Sequence, residues 1–235
     1  MATPSKIGTT TTPAFGSGTS FTFQHTVPAT GQNRVLVVAC TTWASGAAHT
    51  VTATYNGVSM TGIGVRDETV GHNLLTVFVL VNPPTGAAYD VVLTPSASAE
   101  FQAAAFALQD VNQSFTNRSG SGTESAGTQS LTWTVSSITA VVGDLIVSFT
   151  GSYAGGGAAH PTSAGGGATL DFNVDRNATG SDSLSGSFKT AASGSESVSW
   201  SCDAVANYWA ASFAFVPAST IAPLAMHQLR QQGIS

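Results

Sequence analysis

Oxygen-bearing side chains at every second position from Asp171 form the most suggestive chemical series in the chain: Asp171, Asn173, Asp175 and Asn177, with Asp182 at the twelfth place. Alternating oxygens closed by a twelfth-place carboxylate are what a loop needs to wrap a hard cation such as calcium. Such a loop also needs glycine at its sixth place for a sharp turn, and Arg176 stands there. The series reads better as a strand running into a hairpin, with its polar face in solvent. His49 and His160 each follow Ala-Ala, but neither has a His or Cys neighbour at metal-binding spacing, so they are read as loop residues. His25, His72 and His227 stand alone. No G-x-S-x-G elbow exists. A glycosidase pair needs two carboxyls held about 5–9.5 Å apart, whereas the twelve acidic residues are scattered, with Asp67-Glu68 in an expected turn. No phosphate-binding or dinucleotide glycine motif lies between a strand and a helix. No catalytic, cofactor or metal residue is therefore assigned, and the chain is expected not to be an enzyme. Trp43, Tyr153, Tyr208 and Trp209 fall near strand ends, where aromatic faces can serve as sugar platforms. Core packing or an oligomer interface is the competing use for them.

These residues must be positioned by strands, and the strands come in two sets. Ser20 within Gly18-Thr-Ser-Phe-Thr-Phe23 answers Ser130 within Gly127-Thr-Gln-Ser-Leu-Thr-Trp133, 110 positions later. Asn33-Arg-Val-Leu-Val-Val38 answers Gly143-Asp-Leu-Ile-Val-Ser148, and Ala103-Ala-Ala-Phe-Ala-Leu108 answers Ala210-Ala-Ser-Phe-Ala-Phe215. Trp43 and Tyr153 correspond at the same offset of 110. Repeats of this kind decide architecture before any local signal does. A feature present in one copy alone is not something the fold requires. Short apolar or alternating runs bounded by Gly, Pro, Asn and Ser place strands at 20–27, 34–41, 50–55, 58–65, 74–81, 89–94 and 100–108 in the first copy. In the second they fall at 130–136, 144–150, 168–174, 183–190, 197–202 and 208–216. Asn56-Gly57 predicts a type I′ hairpin turn, since both central residues need positive φ. The second copy carries glycine runs at 155–157 and 165–167 instead, read as a flexible stretch in place of that hairpin. The 100–108 run and the Trp209, Phe213, Phe215 series read as strands buried on both faces.

The fold class is therefore all-β: a β-sandwich, jelly-roll-like or Ig-like, with an internal duplication of about 110 residues and a pseudo-twofold. The expected organisation is an N-terminal arm at 1–17, a first repeat at 18–111, a linker at 112–126, a second repeat at 127–217 and a C-terminal arm at 218–235. Leu224, Met226 and Leu229 could line a short helix in that last segment. Whether the copies build two sandwiches or interleave into one stays open. Charged residues are 8% of the 235, against about 25% in ordinary domains, and net charge is −5. Seven Lys plus Arg leave no basic footprint for nucleic acid. No run of 18 apolar residues predicts a membrane helix, and Met1-Ala-Thr-Pro-Ser-Lys-Ile carries no secretory leader pattern. Cys40 and Cys202 do not correspond in the repeat and are read as small buried hydrophobes, with a disulfide between them left open. The N-x-S/T patterns at Asn112, Asn117 and Asn177 matter only in a glycosylating host. Only two lysines, Lys6 and Lys189, are available to guard sheet edges, so the edges are covered either by neighbouring chains or by loops and bulges.

Asn33-Arg-Val-Leu-Val-Val, Val51-Thr-Ala-Thr-Tyr-Asn-Gly-Val-Ser-Met-Thr, Leu80-Val-Asn-Pro-Pro-Thr-Gly and Ala103-Ala-Ala-Phe-Ala-Leu-Gln-Asp-Val together resemble a known group. It is the Ser/Thr/Gly-rich β-sandwich proteins of bacterial surfaces and tailed-phage virions. Tyr208-Trp-Ala-Ala-Ser-Phe-Ala-Phe is similar to that group's final strand, and the resemblance covers residues 18–217. It implies a fold and carries no catalytic motif. With the Met start and short chain, it implies a non-enzymatic virion protein that decorates or cements the capsid surface. The expected partners are a major capsid protein or other virion proteins, and further copies of the chain, a trimer suiting a local threefold. Neither nucleic acid nor membrane is expected as a partner. The alternative is a carbohydrate-binding, lectin-like module of a phage tail or bacterial surface protein, with a glycan as ligand.

Overall fold

The computed structural model describes residues 2–44, 48–68, 73–114, 118–124, 130–153, 161–175 and 182–219. Every regular element among them is a strand. The first copy contains β1 (Ser5–Thr11), β2 (Gly16–Gly18), β3 (Phe21–Thr26), β4 (Val35–Trp43), β5 (Val51–Tyr55), β6 (Val58–Ser59), β7 (Thr61–Glu68), β8 (Asn73–Val81), β9 (Ala88–Pro95) and β10 (Ala99–Gln109). The second contains β11 (Arg118–Glu124), β12 (Ser130–Thr139), β13 (Leu145–Tyr153), β14 (Pro161–Gly165), β15 (Thr169–Asp175), β16 (Asp182–Thr190) and β17 (Ser195–Phe215).

Strand order is the same in the two copies. An inner sheet runs β1-β10-β4-β8-β7 in the first and β11-β17-β13-β16-β15 in the second. An outer sheet runs β3-β9-β5-β6 in the first; in the second, β12 and β14 flank the early part of β17. The long β17 does the work of β9 and β10 together. Its first half pairs in the outer sheet and its second half in the inner one.

Four sheets stack as four layers, and the apolar pattern says why. In β4, Leu36, Val38 and Cys40 face the first outer sheet and pack with Phe23, Val91 and Leu93. The alternate residues Val35, Val37 and Ala39 face the other copy. There they join Phe106 and Leu108 of β10 and Val77 of β8 against Val147, Phe149, Trp209, Phe213 and Phe215. A strand buried on both faces must be apolar at every position, which is how the runs at 100–108 and 208–216 read. The copies thus have separate interiors, one beneath each outer sheet, and share a third core between their inner sheets. Strand β10 lies over β15 and β16, while β17 lies over β7 and β8, so the two copies exchange roles across the contact. An approximate twofold axis along the strands describes this. The two ends are also zipped together: Val111 bridges Pro217, the Asn112 N–H donates to the Val216 carbonyl and the Ala218 N–H to the Asp110 carbonyl.

Several sequence expectations are revised. Residues expected in the N-terminal arm supply β1 and β2, both hydrogen-bonded to β10. Residues expected in the linker supply β11, which pairs β17 in the equivalent place. Strands β1 and β2 lack apolar alternation because none of their residues is fully buried. The expected flexible stretch of the second copy contains β14 and a tight turn. Gly166 and Gly167, at φ +70° and +79°, repeat the left-handed pair of Asn56 and Gly57, at φ 50° and 74°. Gly-Gly satisfies a type I′ turn as Asn-Gly does. Both cysteines are free and buried in different cores, Cys40 in the first copy and Cys202 in the second. Desolvation pushes the Cys40 thiol up to about 12. Register shifts interrupt the edge strands β1, β7, β11, β12, β14 and β15, and bulged edges resist pairing with other chains. Neither lysine guards an edge by itself: Lys6 pairs with Asp171 and Lys189 with Glu196.

The second copy fills its interior differently. Ser148, Thr150, Ser152, Ser183, Ser185, Ser187 and Ser212 are all buried on its inner sheet. By register, Ser148 and Ser187 occupy the places of Val38 and Phe78. The lost volume is made up from the outer sheet by Trp133 and Trp200. Their indole N–H groups donate to Thr150 Oγ1 at 3.0 Å and to Ser148 Oγ at 3.2 Å. A buried indole needs such an acceptor, so the hydroxyls and the tryptophans belong together.

Candidate functional site

The shared core ends in a polar rim. On the face of the first inner sheet that meets the second copy, β4 changes from Val35, Val37 and Ala39 to Thr41 and Trp43. At the same level β10 changes from Phe106 and Ala104 to Gln102 and Glu100, and β8 from Leu75 to Asn73. The ladder aligns them: Glu100, Trp43 and Asn73 lie directly opposite one another on three adjacent strands, and Gln102, Thr41 and Leu75 form the next row. Thr41 Oγ1 donates to Gln102 Oε1 at 3.3 Å. Thr42 Oγ1 and His49 Nε2 are 2.7 Å apart. Thr41, Thr42, Asn73 and Gln102 are buried, while the Trp43 indole is 36% exposed.

The second copy closes the rim. Its equivalent rows are Asn207, Tyr153 and Asp182, then Trp209, Gly151 and Leu184. A Cβ on Gly151 would lie 2.2 Å from Trp209 Nε1 and 2.7 Å from Thr41 Cγ2. Glycine therefore makes the room in which Trp209 lies against Thr41. Thr41 and Gly151 are repeat equivalents, so the approximate axis passes between them, and Trp43 and Tyr153 flank one mouth of the seam. The resulting slot of about 10 Å3 is lined by Phe15, Thr41, Trp43, Asn73, Glu100, Gln102 and Trp209, among others. Trp209 is 1% exposed, and its Nε1–H has no acceptor among the described residues.

Of the four aromatic residues singled out in the sequence, three thus gather at this mouth. Tyr208 points the other way and stacks on Trp133 with ring centres 4.7 Å apart and planes 1° from parallel. Glu100, Gln102, Asn73 and Thr41 were not singled out. Their signal is three strands turning from apolar to polar on the same face, visible once the register is known. The described start of the calcium-like series is extended and does not wrap around one point. Asp171 and Asn173 lie in extended β15, where alternate residues advance about 6.8 Å along the strand. Asp171 is engaged by Lys6 and Thr10, and Asn173 accepts from Ser185 at 2.9 Å. Asp67 and Glu68 belong to β7 and not to a turn. His72, His160, His227, Asn117, Arg176, Asn177 and the segment 220–235 lie outside the described residues. A second hollow of about 350 Å3, lined by Pro4, Lys6, Leu145, Leu170, Asp171 and Phe188 among others, sits where β1 crosses the edge of the second copy.

His25 is buried beneath the N-terminal strand, with Nδ1 2.8 Å from Thr11 Oγ1 and no partner at Nε2 among the described residues. Burial lowers its pKa to about 4 from 6.5. Above pH 6.5 the ring is neutral whether the chain is folded or not. Below it the unfolded chain takes up a proton that the folded one refuses, so stability falls as pH drops from about 6.5 to about 4. The expected loss is about 3 kcal/mol, and His25→Gln should flatten that limb in urea melts recorded across the range.

Compared with known proteins, the chain matches no family model, no curated sequence and no solved structure.

Proposed function

We propose that the chain is a non-enzymatic structural protein of a phage virion, one that decorates or cements the capsid exterior and works by contact with its neighbours. The observation that carries this is the core shared between the two inner sheets. It joins the copies into one stiff four-layer body, with two large outer faces built from serine, threonine and small apolar residues. Leu131, Val205, Val58, Val141 and Val142 are exposed on or beside those outer sheets, giving scattered apolar points for protein contact. The strand orders support a jelly roll in each copy: β1-β10-β4-β8-β7 against β3-β9-β5-β6 crosses between sheets at most connections, as in capsid and lectin domains. Bulged edges favour assembly through sheet faces and loops over strand-to-strand pairing. A protein that binds only the assembled shell stabilises it by mass action, and a homotrimer at a local threefold suits that task. The test is quantitative protein analysis of purified virions. Stoichiometric copies on the head support the proposal, and a chain found only in the soluble fraction of infected cells refutes it.

Carbohydrate recognition is the second reading, favoured by one observation: an exposed tryptophan set in a row with a carboxylate and an amide at the seam mouth.

A further inference from the structure

We infer that the seam mouth is a saccharide subsite, in which one neutral hexopyranose ring lies on the Trp43 indole and sets a single hydroxyl into the slot beside Thr41, Gln102 and Trp209. This rests on the second reading above and names its site. The ligand class follows from what the slot can hold and what lines it. A volume of about 10 Å3 admits one hydroxyl-sized group and no ring, so a flat aromatic or a trimethylammonium head does not enter. Among the described residues that line it there is no lysine, arginine or histidine, while Glu100 is present, and a carboxylate at the mouth disfavours an anion. What remains is a group that both donates and accepts: a hydroxyl, whose oxygen takes the unpartnered Trp209 Nε1–H while its proton goes to an amide, carboxylate or threonine oxygen. The exposed indole beside the slot then meets the apolar C–H face of the ring that carries this hydroxyl. The fold itself does not demand the arrangement. The equivalents of Thr41, Trp43 and Gln102 in the second copy are Gly151, Tyr153 and Trp209, and the slot exists because these pairs differ.

The experiment is saturation-transfer NMR on the full chain with methyl glycosides of glucose, galactose, mannose and N-acetylglucosamine, beside a glycan array and a choline control. The expected result is millimolar binding of at least one hexoside, on the order of 1–10 mM. Trp43→Ala should weaken it at least about tenfold, as loss of a central aromatic contact does. Thr41→Val, which keeps the shape and removes the hydroxyl, should weaken it several-fold, and Leu131→Ala on the outer sheet should leave it unchanged. Thermal melts check that each variant is folded. Binding that survives both Trp43→Ala and Thr41→Val overturns the subsite and leaves carbohydrate recognition standing elsewhere on the chain. Silence on both the hexosides and the array overturns both. Choline competing for the Trp43 face overturns the ligand class.

Discussion

Truncating Phe106 to alanine should lower the unfolding free energy by about 3–5 kcal/mol, the usual cost of removing a large aromatic ring from a core that cannot collapse around the gap. Phe106 is fully buried in the shared core, stacked 6.0 Å from Phe149 and edge-on 5.0 Å from Phe188, both residues of the other copy. Its loss therefore acts on the joint between the copies, and the manner of unfolding carries as much information as the size of the effect. With inner sheets buried on both faces, neither copy has a solvent-compatible surface without the other. Urea denaturation of the wild-type chain should give one transition, coincident by tryptophan fluorescence, which reports chiefly on the second copy, and by far-UV circular dichroism. Phe106→Ala should move that single midpoint down without splitting it. Two separated transitions in the wild-type chain would mean that the copies are independent domains resting on each other.

A loss of about 1.5–3 kcal/mol is expected for Lys189→Met, because it takes the charged donor from a carboxylate that has little solvent contact. Lys189 Nζ lies 2.6 Å from Glu196 Oε2 and also donates to the Gly166 carbonyl at 2.7 Å and the Ser197 carbonyl at 3.3 Å. Glu196 Oε1 accepts the Ala192 N–H at 2.7 Å and the Ser193 N–H at 2.8 Å. The pair thus fastens the Gly166-Gly167 turn to the start of β17 and closes the turn before it. Methionine keeps most of the stem's volume, so the measured change reports the charge. Adding Glu196→Gln to Lys189→Met should recover most of the loss, since a neutral amide in that place has no unpaired charge to bury. The hydrogen bond from Lys189, aided by the two backbone N–H groups, holds the Glu196 carboxyl down at about 2, below its ordinary 4.5. A depressed carboxyl contributes stability that is complete above the unfolded-state value and is lost as pH falls from about 4.5 through about 2. His25 titrates in the window above this one, so the acid limb should have two parts, each removed by its own substitution.

Much of the architecture was legible in sequence because duplication wrote it twice. The 110-residue offset, the Asn56-Gly57 turn and the doubly buried strands of the inner sheets all follow from local pattern. What escaped was set by partners distant in sequence. Strands β1 and β11 are rich in Gly, Ser and Thr and take their form from the sheet edge they complete. The Gly166-Gly167 turn looked like a loose run because glycine's freedom hides which conformation it adopts. Serine in a buried strand gives no apolar signal, so the hydroxyl-lined interior of the second copy was invisible until Trp133 and Trp200 were seen to need it. At the seam mouth, the correspondence of Trp43 with Tyr153 was readable. The row joining Glu100, Trp43 and Asn73 was not, because cross-strand register brings together residues that no local window contains.

The meeting of Thr41 with Gly151 has a consequence for ancestry. Had each copy once been a separate polypeptide pairing with its own twin, both sides of the axis would have carried the same residue. Two chains of the second type would drive two indoles toward the space that one occupies, and two of the first type would set Gln102 against Gln102 with no ring between them. The present fit is heterologous. It requires two halves that are no longer identical, so each has diverged against the other since the duplication, and a self-matched homodimer of either half would lose this fit.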